Sequence, residues 1–285
     1  MSNHLPPPVD LAQPPPARPE PDQHYTSKED KPKYNLDAMH ESFKAAKEKL
    51  DHIACTKPVS DWPAGFINPT TLLYELIDRD IWRPNGSRVI RKHIGYSEKY
   101  QSLTVSLFDG DKVAAICIRN AIDRDGNPVK WKTYGSKRLI PHRIFDADDP
   151  TIFVGYGIGE FLLFELLELN YMVLQSDSIA HTLFNNPYAP HLEDRYIFAL
   201  LDNDRSCKAT VEQLQRHYRS CKVYGVDFEH LLDKELPKGY DFRDFCNEIA
   251  KEVRGGNYLA DPQLVKRTIV DYLANEIKLL LGGNK

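Results

Sequence analysis

The sequence predicts an α/β protein built on a mainly parallel sheet flanked by helices, preceded by a small β-rich subdomain and a disordered, proline-rich N-terminal tail. Three observations carry this prediction. Nine of the 20 prolines fall within the first 32 residues, residues 88–144 contain short β-rich runs, and from residue 150 strand-like runs alternate with helix-like patterns. Strands that alternate with helices pair in parallel and are covered by helices on both faces.

The N-terminal half begins with residues 1–34, which contain "PPP" twice. Such a segment cannot bury enough apolar surface to offset its conformational entropy, and disorder is expected. Residues 35–149 are predicted to form a helical and β-rich subdomain. Its helices come from "NLDAMHESFKAAKEKLDHI" and "NPTTLLYELIDRDIWR". The runs "SLTVSLFD", "KVAAICIRNAID" and "PVKWKTYG" are separated by "DGD" and "RDGN", which predicts a meander of hairpins.

Residues 150–253 carry the alternating pattern. Four strands are predicted from "TIFVGYG", "YMVLQSD", "RYIFALLD" and "CKVYGVDF". Helices are predicted from "GEFLLFELLELN", "RSCKATVEQLQRHYRS" and "YDFRDFCNEIAKEV". Residues 254–285 contain "DPQLVKRTIVDYLANEIKLLL", a last amphipathic helix that is expected to pack back on the body of the protein.

Composition excludes several classes of protein. The net charge is −4, so any affinity for nucleic acid must come from a local basic surface. The five cysteines are scattered and form no C-x-x-C, which argues against a disulfide framework and a zinc site and fits a reducing cytoplasm. No apolar run approaches the ~20 residues of a membrane helix, and no membrane partner is expected.

Two aspartates, Asp202 and Asp204, directly follow the apolar run "YIFALL". In open α/β sheets, ligands bind beyond the carboxyl ends of the strands. Two carboxylates so close repel each other unless a cation lies between them, and oxygen ligands suit Mg²⁺ or Mn²⁺. The alternative is a solvated turn followed by a helix N-cap.

Charge is distributed unevenly around these aspartates. Residues 144–204 contain eleven acidic residues and one basic residue, whereas residues 111–143 contain eight basic and three acidic residues. An acidic pocket beside basic surfaces suits metal-dependent phosphoryl transfer on nucleic acid. A third acidic element places Asp241 and Asp244 at the start of a predicted helix, where capping is the alternative role.

The order of these motifs resembles the Toprim domain, the metal-binding catalytic fold of bacterial and phage primases, type IA and type II topoisomerases and some nucleases. "IFALLDNDRSCKA" is similar to the family's "LDxDxAGxxA", and "PKGYDFRDF" is similar to the "PxGxDxND" of its primase branch. The segment "GDKVAAICIRNAIDRDGNPVKWKTYGSKRLI" is similar to the small β-rich subdomain of phage-type primases.

The chain departs from the Toprim pattern at two positions. The family has a glutamate–glycine pair at the end of its first strand, whereas "VGYGIGEF" has Tyr156 before Gly157, and Glu160 is the nearest acid. Cys207 replaces the glycine of "DxAG". The sequence also contains no "GxxxxGK[ST]" phosphate loop of a helicase motor, which leaves a separate replicative helicase as a candidate partner.

The resemblance implies a primase-like nucleotidyltransferase that uses ribonucleotides on single-stranded DNA in replication of a phage or mobile element. It implies a catalytic group of Glu160, Asp202 and Asp204, with Glu160 as general base or metal ligand. The implied ligands for Mg²⁺ or Mn²⁺ are Asp202 and Asp204, with Asp241 or Asp244. The implied nucleotide- and DNA-binding residues are Arg119, Lys130, Lys132, Lys137, Arg138 and Lys208.

Two other functions fit the same residues. A Toprim nuclease would use the same ions without a triphosphate site, and the basic segment 111–143 favours the primase over it. A non-catalytic nucleic-acid-binding module is supported by Tyr156 in place of the glutamate. The basic residues of 111–143 have a solvated hairpin as their alternative, and Trp131 either stacks on a base or packs on the core.

Overall fold

The computed structural model describes residues 35–56, 92–100, 102–122, 128–202, 205–254 and 262–282. The predicted tail and the predicted helix "NPTTLLYELIDRDIWR" lie outside these residues. None of the helices in the described ranges combines the length and the apolar character that crossing a lipid bilayer requires.

The β-rich region is an antiparallel sheet covered by one long helix. Helix α1 (Leu36–Thr56) precedes four strands that pair in the order β1-β2-β3-β4, namely β1 (Ile94–Ser97), β2 (Ser102–Asp109), β3 (Lys112–Ile122) and β4 (Pro128–Gly135). Phe43 of α1 packs edge-on against Phe108 of β2, with ring centroids 5.6 Å apart. The predicted meander is therefore confirmed, and β1 is a strand that the sequence pattern did not reveal.

Gly135 ends β4 in a conformation that only glycine adopts without strain. Its φ is +98°, and a Cβ at this position would collide with the backbone carbonyl oxygen of Ala114 on β3. Gly110, in the β2–β3 turn, also has a positive φ, +59°, but a Cβ there would meet no atom within 4 Å. A substitution at Gly110 therefore causes backbone strain alone, whereas one at Gly135 causes both backbone strain and a steric collision.

Gly135→Ala is expected to destabilise the protein by more than the matched control Gly110→Ala. The control introduces left-handed backbone strain of about 1–2 kcal/mol. Gly135→Ala adds the collision with β3 to a strain of about 1–3 kcal/mol. Chemical denaturation of both variants measures the difference. Equal losses in the free energy of unfolding would show that β4 moves away from β3 at no cost.

The second sheet has five strands in the order β5-β7-β6-β8-β9. The three central strands and the edge strand β9 run parallel to one another. The strands are β5 (His142–Arg143), β6 (Thr151–Tyr156), β7 (Tyr171–Leu174), β8 (Tyr196–Ala199) and β9 (Lys222–Gly225). Only β5 pairs antiparallel, with β7. The prediction of a mainly parallel sheet is confirmed.

Helices connect and cover these strands. They are α2 (Gly157–Leu167), α3 (Asp177–Thr182), α4 (Arg205–His217), α5 (Phe228–Leu232), α6 (Phe242–Arg254) and α7 (Pro262–Gly282), with a 3₁₀ turn at Leu183–Asn185. The longer helices α2, α4, α6 and α7 lie where the sequence pattern placed them. The patterns of α3 and α5 span only five or six residues, too few for a helical period to be recognised.

Alternate residues of each parallel strand face opposite sides of the sheet, and each side has its own core. Phe153, Val173 and Phe198 belong to the core formed with α2 and α6. Their neighbours in the strands belong to the core formed with α3 and α4, which includes Ile179 and Leu214. The sheet is therefore buried on both faces, which explains its nearly continuous apolar strands.

The first of these cores also contains the antiparallel sheet. Leu50 of α1 and Val105 of β2 are fully buried in the same apolar cluster as Phe161 and Phe164 of α2. His93, directly before β1, contacts Phe161 edge-on with ring centroids 4.8 Å apart. One continuous core thus joins the antiparallel sheet to one face of the parallel sheet.

A buried charged cluster accompanies this junction. Glu165 on α2 is 1% exposed. Its Oε1 accepts a hydrogen bond from the Tyr171 hydroxyl at 2.5 Å, and its Oε2 accepts one from Arg143 at 3.0 Å. The imidazole Nε2 of His93 lies 3.6 Å from the same Oε2. The four side chains come from α2, β7, β5 and the turn before β1, so the cluster holds both sheets together.

Candidate functional site

The carboxyl end of β6 leads directly into α2. Gly157, with φ +82°, turns the chain, and Tyr156 stands at the helix N-cap without a side-chain capping bond. The Tyr156 hydroxyl instead makes a hydrogen bond with the Thr210 hydroxyl on α4. Glu160 follows in the first turn of α2 and is 5% exposed. Tyr156 therefore points toward α4, and Glu160 is the acid that this β–α turn buries.

Three of the predicted acidic residues line one cleft at the carboxyl edge of the parallel sheet. The carboxyl ends of parallel strands meet at one edge, and β6, β7 and β8 end here. The cleft has a volume of about 220 Å³. Its lining comprises Trp131, Tyr156, Gly157, Ile158, Gly159, Glu160, Gln175, Ser176, Asp202, Asp241 and Arg243. Asp204 lies outside the described residues.

Arg243 lies between two of these carboxylates. Its Nε is 2.7 Å from Glu160 Oε1, and its Nη2 contacts Asp241 Oδ2. The side chain of Arg243 is 27% exposed and that of Glu160 only 6%. Nε is buried and finds no acceptor in hydrogen-bonding alignment within the described residues, so its contact with Glu160 is a close charge pair.

Burial and the charges of neighbouring side chains shift the pKa values of Glu160 and Arg243. Burial raises the pKa of Glu160 to about 7, against the lowering effect of Arg243, while Asp241 and Asp202 add to the rise. Burial alone would lower the pKa of Arg243, but the carboxylates of Glu160 and Asp241 more than offset this and raise it. The negative charges of Asp241 and Asp202 both favour the protonated form of Glu160.

Asp241 and Asp244 cap α6 reciprocally. Asp241 Oδ1 accepts hydrogen bonds from the backbone N–H groups of Arg243 at 2.9 Å and Asp244 at 3.0 Å. Asp244 Oδ2 accepts one from the backbone N–H of Asp241 at 3.3 Å. This is a capping box with aspartate in the third position. Asp241 is buried and lines the cleft, whereas Asp244 is exposed and does not.

Arg243 contacts two of the three carboxylates that line the cleft, and Asp202 is the third. Carboxylate oxygens are suitable ligands for Mg²⁺ or Mn²⁺. Asp202 is partly exposed and directly precedes residues 203–204, which lie outside the described ranges. Within the described residues, no group of three or more His, Cys, Asp or Glu side chains is arranged to hold a metal ion. Glu160 and Asp241 share Arg243 instead of converging with Asp202.

Arg119 and Trp131 bring the antiparallel sheet to the mouth of the cleft. They are direct cross-strand partners on β3 and β4, and the guanidinium of Arg119 lies 6.0 Å from the Trp131 ring centroid. Burial lowers the pKa of Arg119, and the positive charge of Arg243 lowers it further. Trp131 lines the cleft itself. A positive charge and an aromatic ring thus stand beside the acidic residues.

The other predicted basic residues whose side chains are described do not line the cleft. Lys132 Nζ is 5.5 Å from the Tyr134 ring, and Lys137 and Lys208 are exposed. Arg138 is exposed but donates a hydrogen bond of 2.6 Å to the Asn185 carbonyl. Of Lys130 only the backbone, in β4, is described. The DNA-binding role of all these residues stays a prediction.

Arg243 is the residue at this site that the sequence interpretation did not single out. A signal was present, because Arg243 stands where the "PxGxDxND" pattern has asparagine. An arginine among predicted metal-binding carboxylates is a change of charge, so it predicts a change in what the carboxylates bind.

Comparison with known proteins gives matches among solved structures only. No protein-family model and no curated protein sequence matches the chain. The primase fragment of the bacteriophage T7 primase-helicase protein matches with 18% identity and a TM-score of 0.38, over 65% of this chain and 67% of that one. A structure of bacteriophage T7 lagging-strand DNA polymerase interacting with primase domains of two gp4 subunits, bound to an RNA/DNA hybrid and dTTP, matches with 16% identity and a TM-score of 0.36, over 59% and 83%.

Proposed function

We propose that this chain is a primase-like nucleotidyltransferase that joins ribonucleotides on single-stranded DNA in the replication of a phage or mobile element. One observation carries the proposal: the acidic cleft at the carboxyl edge of the parallel sheet opens beside Arg119 and Trp131 of the antiparallel sheet. Nucleotidyl transfer needs carboxylates for ions and cations for phosphates at neighbouring positions. A separate replicative helicase is the proposed partner.

In this proposal Asp202 and Asp204 would hold Mg²⁺ or Mn²⁺ at the tip of β8. A divalent ion bound there would neutralise the charge that develops on the transferred phosphate. Arg119 would contact a phosphate of the nucleotide or the template. Trp131, which is partly exposed, would stack on a base, because aromatic rings bind bases of single strands with little sequence preference.

The test is a synthesis assay with the purified chain, single-stranded DNA, labelled ribonucleoside triphosphates and Mn²⁺ or Mg²⁺. The proposal predicts short labelled RNA products that depend on both the ion and the template. Shortening of labelled DNA without incorporation would identify a Toprim-type nuclease instead. DNA binding with neither reaction would identify a non-catalytic module.

The non-catalytic module is favoured by a specific observation. Tyr156 takes the place of a glutamate and is tied to Thr210, while Glu160 is paired with Arg243. A carboxylate held by an arginine is less available as a general base for a 3′-hydroxyl. The same synthesis assay separates this candidate function from the primase, because only the primase incorporates nucleotides.

Lys132→Glu is expected to weaken binding of single-stranded DNA and to flatten its salt dependence. Each phosphate contact contributes about −0.7 to the slope of log K against log salt for a single strand, so losing one contact reduces the slope by about that amount. Fluorescence anisotropy at several salt concentrations measures both quantities.

Lys112→Glu is the matched control for this measurement. Lys112 is an exposed lysine on β3, seven residues from Arg119 and therefore about 23 Å away along the strand. The control variant should retain the salt slope of the unmodified protein. A Lys132→Glu variant with that same slope would place Lys132 in solvent rather than on the nucleic acid.

A further inference from the structure

The acceptor atoms of Asp241 are already engaged by the protein. Oδ1 accepts two backbone N–H groups of α6, and Oδ2 contacts the guanidinium of Arg243. A carboxylate oxygen offers two lone pairs, so Oδ1 has no capacity left for an ion. Asp241 is therefore fixed as the helix cap and as a partner of Arg243.

Glu160 faces the same guanidinium from the other side. Its side chain is 6% exposed, and the arginine at 2.7 Å offsets part of the cost of burying its charge. A buried carboxylate is paired with a positive charge or is neutralised by a proton. Arg243 thus occupies the position between Glu160 and Asp241 that a metal ion bridging the two carboxylates would take.

The first turn of α2 is shaped to accept this arginine. A Cβ added at Gly159 would lie 2.7 Å from Arg243 Cδ and 3.2 Å from its Nε. The aliphatic stem of Arg243 therefore packs directly on the α2 backbone, where glycine alone leaves room. The guanidinium is held at a built position between the two carboxylates.

We propose that Arg243 is an internal counter-ion that takes the place of a metal ion between Glu160 and Asp241, so that the cleft accepts a divalent cation only at Asp202. Arg243 acts as a positioning residue: it keeps both carboxylates in place and sets how many ions the cleft holds. The part of the inference that concerns Asp202 rests on the proposed function, whereas the part that concerns Arg243 does not.

The test counts Mn²⁺ bound to the purified full chain by electron paramagnetic resonance of the free ion. Arg243→Asn removes the positive charge and leaves Glu160 and Asp241 uncompensated, so this variant should bind one additional Mn²⁺ per chain. It should also gain more in melting temperature from Mn²⁺ than the unmodified protein, because an ion that binds the native state stabilises it. Arg243→Lys, the matched control, keeps a positive charge and should bind no additional ion.

A second variant keeps the inference testable if Arg243→Asn does not fold. Glu160→Gln preserves the shape of the side chain and removes its charge. The inference predicts that Glu160→Gln leaves the Mn²⁺ count unchanged, since Arg243 rather than an ion is the partner of Glu160. A count reduced as in Asp202→Asn would make Glu160 a metal ligand and would overturn the inference.

These outcomes separate the inference from the proposed function. A wild-type ion that is lost in Asp202→Asn, together with no additional ion in Arg243→Asn, retains the proposed metal site and overturns the role of Arg243. No ion in the wild type, together with one in Arg243→Asn, overturns the proposed site at Asp202 and retains the role of Arg243. No ion in either protein overturns both.

Discussion

Replacing Asp202 by asparagine is expected to abolish ribonucleotide incorporation while the protein stays folded. Asp202 lies at the tip of β8 and lines the acidic cleft. Mutation of a residue that only supports a metal ligand typically lowers metal affinity or activity about 10–100-fold. Loss of the proposed ligand Asp202 should therefore lower ribonucleotide incorporation at least about 100-fold. The synthesis assay described above, with enzyme in excess to detect residual product, measures the loss.

A melting curve with and without Mn²⁺ provides the control. If Mn²⁺ binds at Asp202 as proposed, it should raise the melting temperature of the unmodified protein, because an ion that binds only the native state stabilises it, and it should not raise that of Asp202→Asn. Without Mn²⁺ the variant should be as stable as the unmodified protein or slightly more so, since one of several neighbouring negative charges is gone. Equal responses to Mn²⁺ in both proteins would show that Asp202 is not a metal ligand.

Replacing Glu165 by glutamine is expected to cause the largest loss of stability. The carboxylate is 1% exposed and is bound by Tyr171 and Arg143, with His93 at 3.6 Å. Removing one partner of a buried ion pair costs about 3–5 kcal/mol, and we expect about 3 kcal/mol because the Arg143 side chain is 43% exposed and can be rehydrated. Chemical denaturation measures the free energy of unfolding.

The contribution of Glu165 should depend on pH. Burial raises the pKa of Glu165, but interactions with His93, Tyr171 and Arg143 more than offset this and hold it below its ordinary value. The folded protein therefore binds this proton more weakly than the unfolded chain does. The stabilisation is fully present above the unfolded pKa of about 4.3 and is lost as the pH falls through the lowered value.

Denaturation of the unmodified protein and of Glu165→Gln between pH 7 and pH 3 tests this dependence. The difference in stability should shrink as the pH falls below about 4.3. Glu168→Gln is the matched control, because Glu168 is an exposed glutamate three residues further along the chain and should show little difference at any pH. A difference for Glu165→Gln that stays constant with pH would contradict the role assigned to the ionised carboxylate.

Most of the parallel sheet could be predicted because its strands are buried on both faces. Val154 and Phe153 face different cores, so both are apolar, and the run "TIFVGY" stands out between polar segments. The end of the apolar run "YIFALL" likewise predicts that Asp202 lies at the carboxyl edge of the sheet. In contrast, β5 has two residues, both exposed, and its pairing with β7 is set by the tertiary fold rather than by a local pattern.

The position of the site was predictable from the sequence, but the pairing of its charged side chains was not. Glu160, Asp202 and Asp241 follow from strand ends and helix starts, which are local features. The pairing of Arg243 with Glu160 joins residues 83 positions apart, and sequence periodicity carries no information about such contacts. The role of Asp241 as a helix cap follows from its spacing, whereas its contact with Arg243 is visible only in the structure.

The apolar cluster that joins the antiparallel sheet to α2 has a consequence for how the protein unfolds. Because Phe161 packs against His93 before β1 and against Tyr171 of β7, separating the sheets would expose large aromatic surfaces. Heating should therefore melt both sheets and the helices packed on them in a single cooperative transition rather than in two steps. A chain cut between β4 and β6 would leave two fragments, each of which would expose its share of the cluster that joins the two sheets. The two sheets differ in strand direction and in charge, yet they form one folding unit.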